Sequence, residues 1–143
     1  MKTIYLQTVA QLKTIAALRW IDADMGQLDF YGEKPPVSFP CALVDIDLPQ
    51  CDDKHETEQQ CTVRVTIRLA DLPKGPTHAN VPTTYQAQAL AFWDLADSVF
   101  SSLQGFETAE LSAFTRRSQT TERRDDNLKV VVQVWETTME QLA

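Results

Sequence analysis

The chain has 143 residues, with 13 lysines and arginines against 20 aspartates and glutamates, for a formal net charge of −7. With 43% apolar residues it is long enough to hold a single core without disulfides or metals. A pI near 4.7 argues against sequence-specific nucleic acid as a partner, since phosphate binding relies on clustered Lys and Arg; the absence of an apolar run near the roughly 20 residues that span a bilayer argues against a membrane.

From Lys2 to Leu18 the apolar residues Ile4, Tyr5, Val9, Leu12, Ile15 and Ala16 recur at steps of three and four, which predicts an amphipathic first helix. Met1 to Ala10 lack the continuous apolar core of a signal peptide, so the expected compartment is the cytoplasm. Trp20-Ile21-Asp22 is compatible with a short extended piece. Gly26, Gly32 and Pro35-Pro36 then break regular structure, and residues 23 to 37 read as a long excursion. Phe39 to Asp47 predicts the first main strand, with Pro40 tolerated near its start or on an edge. Pro49 to Gln59 is acidic and poor in apolar residues, so a solvated connection is expected there.

Gln60 to Leu69 alternates Cys61, Val63, Val65, Ile67 and Leu69 with Thr62, Arg64, Thr66 and Arg68. Period two predicts a half-buried strand whose second face offers Arg64 and Arg68 to water or a partner subunit. Pro73, Gly75, Pro76 and Pro82 keep residues 71 to 82 irregular. Thr83 and Gln86 then have the spacing of a capping box, opening a second helix that runs to Leu103 before Gly105 stops it. Glu110 to Thr121 and Leu128 to Thr137 predict two further strands, with Asp125-Asp126-Asn127 as the turn. The order α-β-β-α-β-β predicts one α+β domain over residues 1–143: a four-stranded, mainly antiparallel sheet with two helices packed on one face.

Gly-rich phosphate loops, HExxH, GxSxG and metal-spaced acid pairs are absent from the sequence, and His55 and His78 both fall in predicted loops. The expectation is therefore a protein that is no enzyme, with no catalytic residues, no metal and no cofactor. Asp45, Asp47, Cys51, Asp52, Asp53, His55 and Glu56 lack the ligand order and glycine of a calcium loop. Cys41, Cys51 and Cys61, ten residues apart, fit no zinc spacing, and their odd number without a secretion signal argues against a disulfide framework. The tryptophans Trp20, Trp93 and Trp135, with Phe92, Phe100, Phe106 and Phe114, read mostly as core. Arg116, Arg117, Arg123 and Arg124 crowd the last hairpin, as a solvated tip or a contact patch. In a head-to-tail ring, the acidic connection around Asp52 and Asp53 is expected to face this Arg hairpin on the neighbouring subunit.

An N-terminal amphipathic helix, the Pro-containing strand Phe39-Pro40-Cys41-Ala42-Leu43-Val44, the alternating strand Cys61 to Ile67, the long helix Thr83 to Leu103 and the strands ending in Val130 to Trp135 follow in that order. This pattern, over nearly the whole chain, resembles the tail terminator, or tail completion, proteins of long-tailed bacteriophages, among them prophage minor tail proteins. The resemblance implies a cofactor-free structural subunit that forms a ring, a hexamer, capping the tail tube and offering a docking surface to the head connector. Its implied partners are further copies of itself, the tail tube protein and the head-tail connector protein; its implied location is the host cytoplasm during assembly and then the virion tail. The interface candidates are Arg64, Arg68, Asp52, Asp53, Arg116, Arg117, Arg123 and Arg124. The alternatives are another neck or head-tail joining protein, or a small cytoplasmic enzyme or ligand-binding α+β domain, which a deep apolar pocket with convergent polar groups favours.

Overall fold

The computed structural model describes residues 1–29 and 34–143. In chain order the elements are α1 (Lys2–Leu12), β1 (Trp20–Ala23), a 3-10 turn (Gln27–Asp29), β2 (Cys41–His55), β3 (Glu58–Asp71), α2 (Thr83–Leu103), β4 (Thr115–Glu122) and β5 (Lys129–Leu142). The class is α+β as expected, but the sheet has five strands, not four, in the order β1-β2-β3-β5-β4. The added strand is the extended piece at Trp20, which pairs in parallel with Cys41–Val44, whereas the other pairings are antiparallel. Four residues carry too little periodicity to mark a strand; the neighbouring edge of β2 supplies the hydrogen bonds that make it one.

Alternation along the central strands turns Ala42, Val44, Val63, Val65, Ile67, Leu69, Val131 and Trp135 to one face. There they pack against Ile4 and Leu12 of α1 and Phe92, Leu95, Val99 and Leu103 of α2. Helix α1 stops at Leu12, short of the expected Leu18, because the Thr14 and Ile15 amides bond only three residues back, to the Gln11 and Leu12 carbonyls. Helix α2 has the expected bounds but no capping box. Gln86 Nε2 instead donates to the carbonyls of Thr77 and His78, at 3.3 and 3.4 Å, tying the preceding irregular segment to the helix start. Beyond its end, Gly105 adopts φ +79° and donates its N–H to the Phe114 carbonyl.

The expected connection over 49–59 is instead paired structure: β2 and β3 continue to His55 and Glu58, Glu56-Thr57 makes the turn, and β5 follows β3 to Leu142. Residues 49–57 are exposed on both faces, so the alternation that marks a half-buried strand is missing there. β4 starts at Thr115 rather than Glu110, with Leu111 only bridging to Met139. On the face opposite the helices, Leu28 and Val37 of the excursion that precedes β2 form a second cluster with Cys41, Leu43, Ala70 and Val130. Of that excursion, residues 30–33, including Gly32, lie outside the described residues.

Candidate assembly interface

The sheet face away from the helices is divided in two. Near β1 the described parts of the excursion, Leu28 and Val37 among them, cover it, and toward the β2–β3 hairpin it is open. Across the open part Asp47, Arg64 and Glu136 stand directly opposite one another on three adjacent strands, and Arg117 donates to Glu136 Oε1 at 3.0 Å. The next row holds Asp45, Thr66, Val134 and Ser118. Cross-strand neighbours of opposite sign favour the paired strands and leave a mixed-charge surface rather than a patch of one sign.

Arg68 and Arg124 do not belong to that open surface. Their side chains are only 12% and 5% exposed. Arg68 reaches Glu122 at 2.7 Å, Asp29 at 3.3 Å and Asp24 at 3.6 Å. Arg124 reaches Glu122 and Asp126 at 2.7 Å and Asp29 at 3.4 Å, and also donates to the Leu28 carbonyl. Hydrogen bonds from Arg68 hold the Asp29 carboxyl below the usual carboxylate range, and those from Arg124 do the same for Asp126. At Glu122 burial pushes the carboxyl up, but the two guanidinium groups outweigh it and the net shift is downward. The two arginines thus fasten the start of the excursion to the sheet, and their buried charge is tolerable because carboxylates meet it.

The four arginines of the last hairpin point in different directions. Arg116 lies on the helix side, opposite Trp135, with its guanidinium 4.2 Å over the Phe100 ring and Nη1 donating to Gln119 at 2.9 Å. A register shift between Arg116 and Ser118 turns Arg117 toward Glu136 on the open face. Arg123 is exposed just beyond β4, while Arg124 is engaged within the chain. Asp52 and Asp53 sit on the exposed hairpin arm, accepting from Gln50 at 2.9 Å and Gln59 at 2.8 Å. The surface therefore retains Arg64, Arg117, Arg123, Asp52 and Asp53 of the eight candidates. Asp47 and Glu136 join them; in the sequence Asp47 stands out only within the acidic run tested as a cation loop and Glu136 not at all, because their opposition to Arg64 is a matter of register. Asp24, Asp29 and Glu122 carry no signal in the sequence and Asp126 appears there only as a turn residue, because the fold alone brings them to Arg68 and Arg124.

Among the described residues no three His, Cys, Asp or Glu side chains converge as a metal site would require. A cleft of about 510 Å³ beside the 107–112 segment is lined by Glu58, Gln60, Glu107, Glu110 and Glu140, among others. A pocket of about 290 Å³ between α2 and β5 is lined by Leu90, Phe92, Trp93, Leu128 and Val131; small-ligand sites usually measure about 300–1,000 Å³. No helix among the described residues is long and apolar enough to cross a membrane.

No family model matches the chain, and no curated protein matches it either. The fold does have a counterpart. A chain in the structure of the virion of a native gene transfer agent particle has a similar fold, with a TM-score of 0.55 at 14% sequence identity, covering 94% of this chain and 92% of that one. The likeness is one of fold: an α+β domain spanned almost end to end.

Proposed function

We propose that this chain is a structural protein of a phage-like particle, a tail terminator-type subunit that forms a six-membered ring on the end of the tail tube and presents a docking surface to the head connector. The observation that carries this reading is the near end-to-end fold likeness to a chain of a gene transfer agent virion. A mixed-charge open sheet face and a polar hairpin arm support it, since both are surfaces on which a neighbouring copy or virion protein can seat. The net charge of −7 suits a ring through which DNA passes without adhering. The role is one of assembly rather than catalysis, with no cofactor.

Light scattering behind a sizing column, across protein and salt concentration, tests the reading. Six copies of the 16.2 kDa chain, or a monomer that becomes a ring on cognate tail tube ends, is the expected result. A chain that stays monomeric and ignores tube ends overturns it. A ring that binds the connector but not the tube favours another neck or head-tail joining protein instead.

A further inference from the structure

Cys51 and Cys61 are ten residues apart, with the hairpin turn at Glu56-Thr57 between them. The register makes them direct partners: Gln50↔Thr62, Cys51↔Cys61, Asp52↔Gln60 and Asp53↔Gln59 form an unshifted stretch between two bulges. Direct partners of an antiparallel pair have Cα atoms about 4.5 or 5.5 Å apart, depending on the pair type, and both values fall inside the 4.4–6.8 Å that a disulfide spans. Cys61 belongs to the inward row of Val63, Val65 and Ile67, so its partner Cys51 shares that face. The two thiols differ in access: Cys61 is buried, whereas Cys51 is exposed.

We propose that Cys51 and Cys61 are a redox pair, in which a small-molecule disulfide such as oxidised glutathione converts the two thiols to a cross-strand disulfide that staples the exposed hairpin arm. The exposed Cys51, as thiolate, attacks one sulfur of glutathione disulfide, forming a mixed disulfide and expelling one glutathione thiolate. Cys61 then gives up its proton and attacks Cys51 Sγ, expelling the second glutathione. The protein loses two protons and two electrons, and one glutathione disulfide becomes two glutathione thiols. Access sets this order, because only Cys51 meets the oxidant. Interaction with the Cys51 thiol, together with burial, pushes the Cys61 thiol up to about 11, consistent with a group that stays protonated until its partner is activated. Cys41 cannot compete. It lies in the opposite-face cluster, its register partners are Trp20 and Ala70, and burial pushes its thiol up to about 12.

The pairing is independent of the ring reading, and its test uses the purified full chain. The reduced protein is incubated with glutathione disulfide, its free thiols are alkylated, and the mass is read intact and after proteolysis. The expected result, with alkylation in denaturant, is a chain that takes up one alkyl group rather than three, at Cys41, a linked Cys51–Cys61 peptide and slowed amide exchange over residues 52–60. Cys61→Ser should stop at one glutathione on Cys51, and Cys51→Ser should leave Cys61 unmodified. A wild-type chain that keeps a glutathione adduct on Cys51, joins two chains through Cys51 or does not react overturns the proposal. A linked peptide with unchanged exchange over 52–60 overturns the staple role.

Discussion

Arg124 carries a full charge on a side chain that is 5% exposed, so its removal leaves Glu122, Asp126 and the Leu28 carbonyl without their shared donor. Arg124→Ala is therefore expected to destabilise the fold by about 2–4 kcal/mol, read as a lower denaturation midpoint in urea. Its exposed neighbour provides the contrast, and Arg123→Ala should stay within about 0.5 kcal/mol of the parent. The same cluster gives a pH dependence of fixed sign. Asp29, Glu122 and Asp126 are held below their ordinary carboxylate values, so their contribution is fully present above the unfolded value near 4 and is lost as pH falls through their lowered folded values. Melting temperature should thus drop below about pH 4. Glu122→Gln, lowering stability at neutral pH, should flatten that drop; an equally steep drop in the variant would assign the acid sensitivity to other carboxylates.

At the scale of the elements, the joint between α2 and β5 is polar at its centre. Gln133 is fully buried, donates to the Ala96 carbonyl at 3.0 Å and to Gln119 at 2.8 Å, and accepts from Trp135 Nε1 at 3.1 Å. Gln133→Leu keeps the volume but strands the indole N–H, so a loss of about 1–3 kcal/mol is expected. Near-ultraviolet circular dichroism at Trp135 checks it, since that ring also stacks on Phe100 with centroids 6.2 Å apart. The hairpin arm is the opposite case, exposed over residues 49–57 and held by ladder bonds and surface pairs such as Lys54 with Glu140. Amide exchange is expected to be slowest over Val63–Leu69, between β2 and β5 under both helices, and much faster over 50–57.

For the whole molecule, the informative asymmetry is a sheet with helices on one face and a half-open charged surface on the other. If copies meet through that surface, Arg64→Glu with Arg117→Glu places two like charges beside Asp47 and Glu136 and should lower the mass seen by light scattering at a given concentration. These side chains lie outside both cores, so the fold should persist; an unchanged mass would locate the contact elsewhere, the hairpin arm being the next candidate. Reversing Arg124 is a poor probe of assembly, because that variant attacks the fold itself.

Elements whose residues repeat with a period are legible in the chain alone: the alternating strand around Val63, the stripe of α2 to Leu103, the strand through Trp135 and hence the α+β class. Half-buried elements must place apolar side chains at fixed steps, and one chain suffices to display them. Periodicity does not encode the rest, which depends on contacts between distant segments. Trp20–Ala23 is a strand only because β2 offers it an edge, and 49–59 is paired although both its faces are wet. Arg68 and Arg124 share a strand face or a hairpin with Arg64 and Arg123, yet Asp24, Asp29 and Glu122 draw Arg68 inside, and Arg124 is held by Glu122, Asp126 and the excursion at Leu28 and Asp29. The opposition of Cys51 to Cys61 likewise rests on where the turn falls. Charge and thiol chemistry depend on neighbours across the sheet, and those neighbours exist only once the chain has folded.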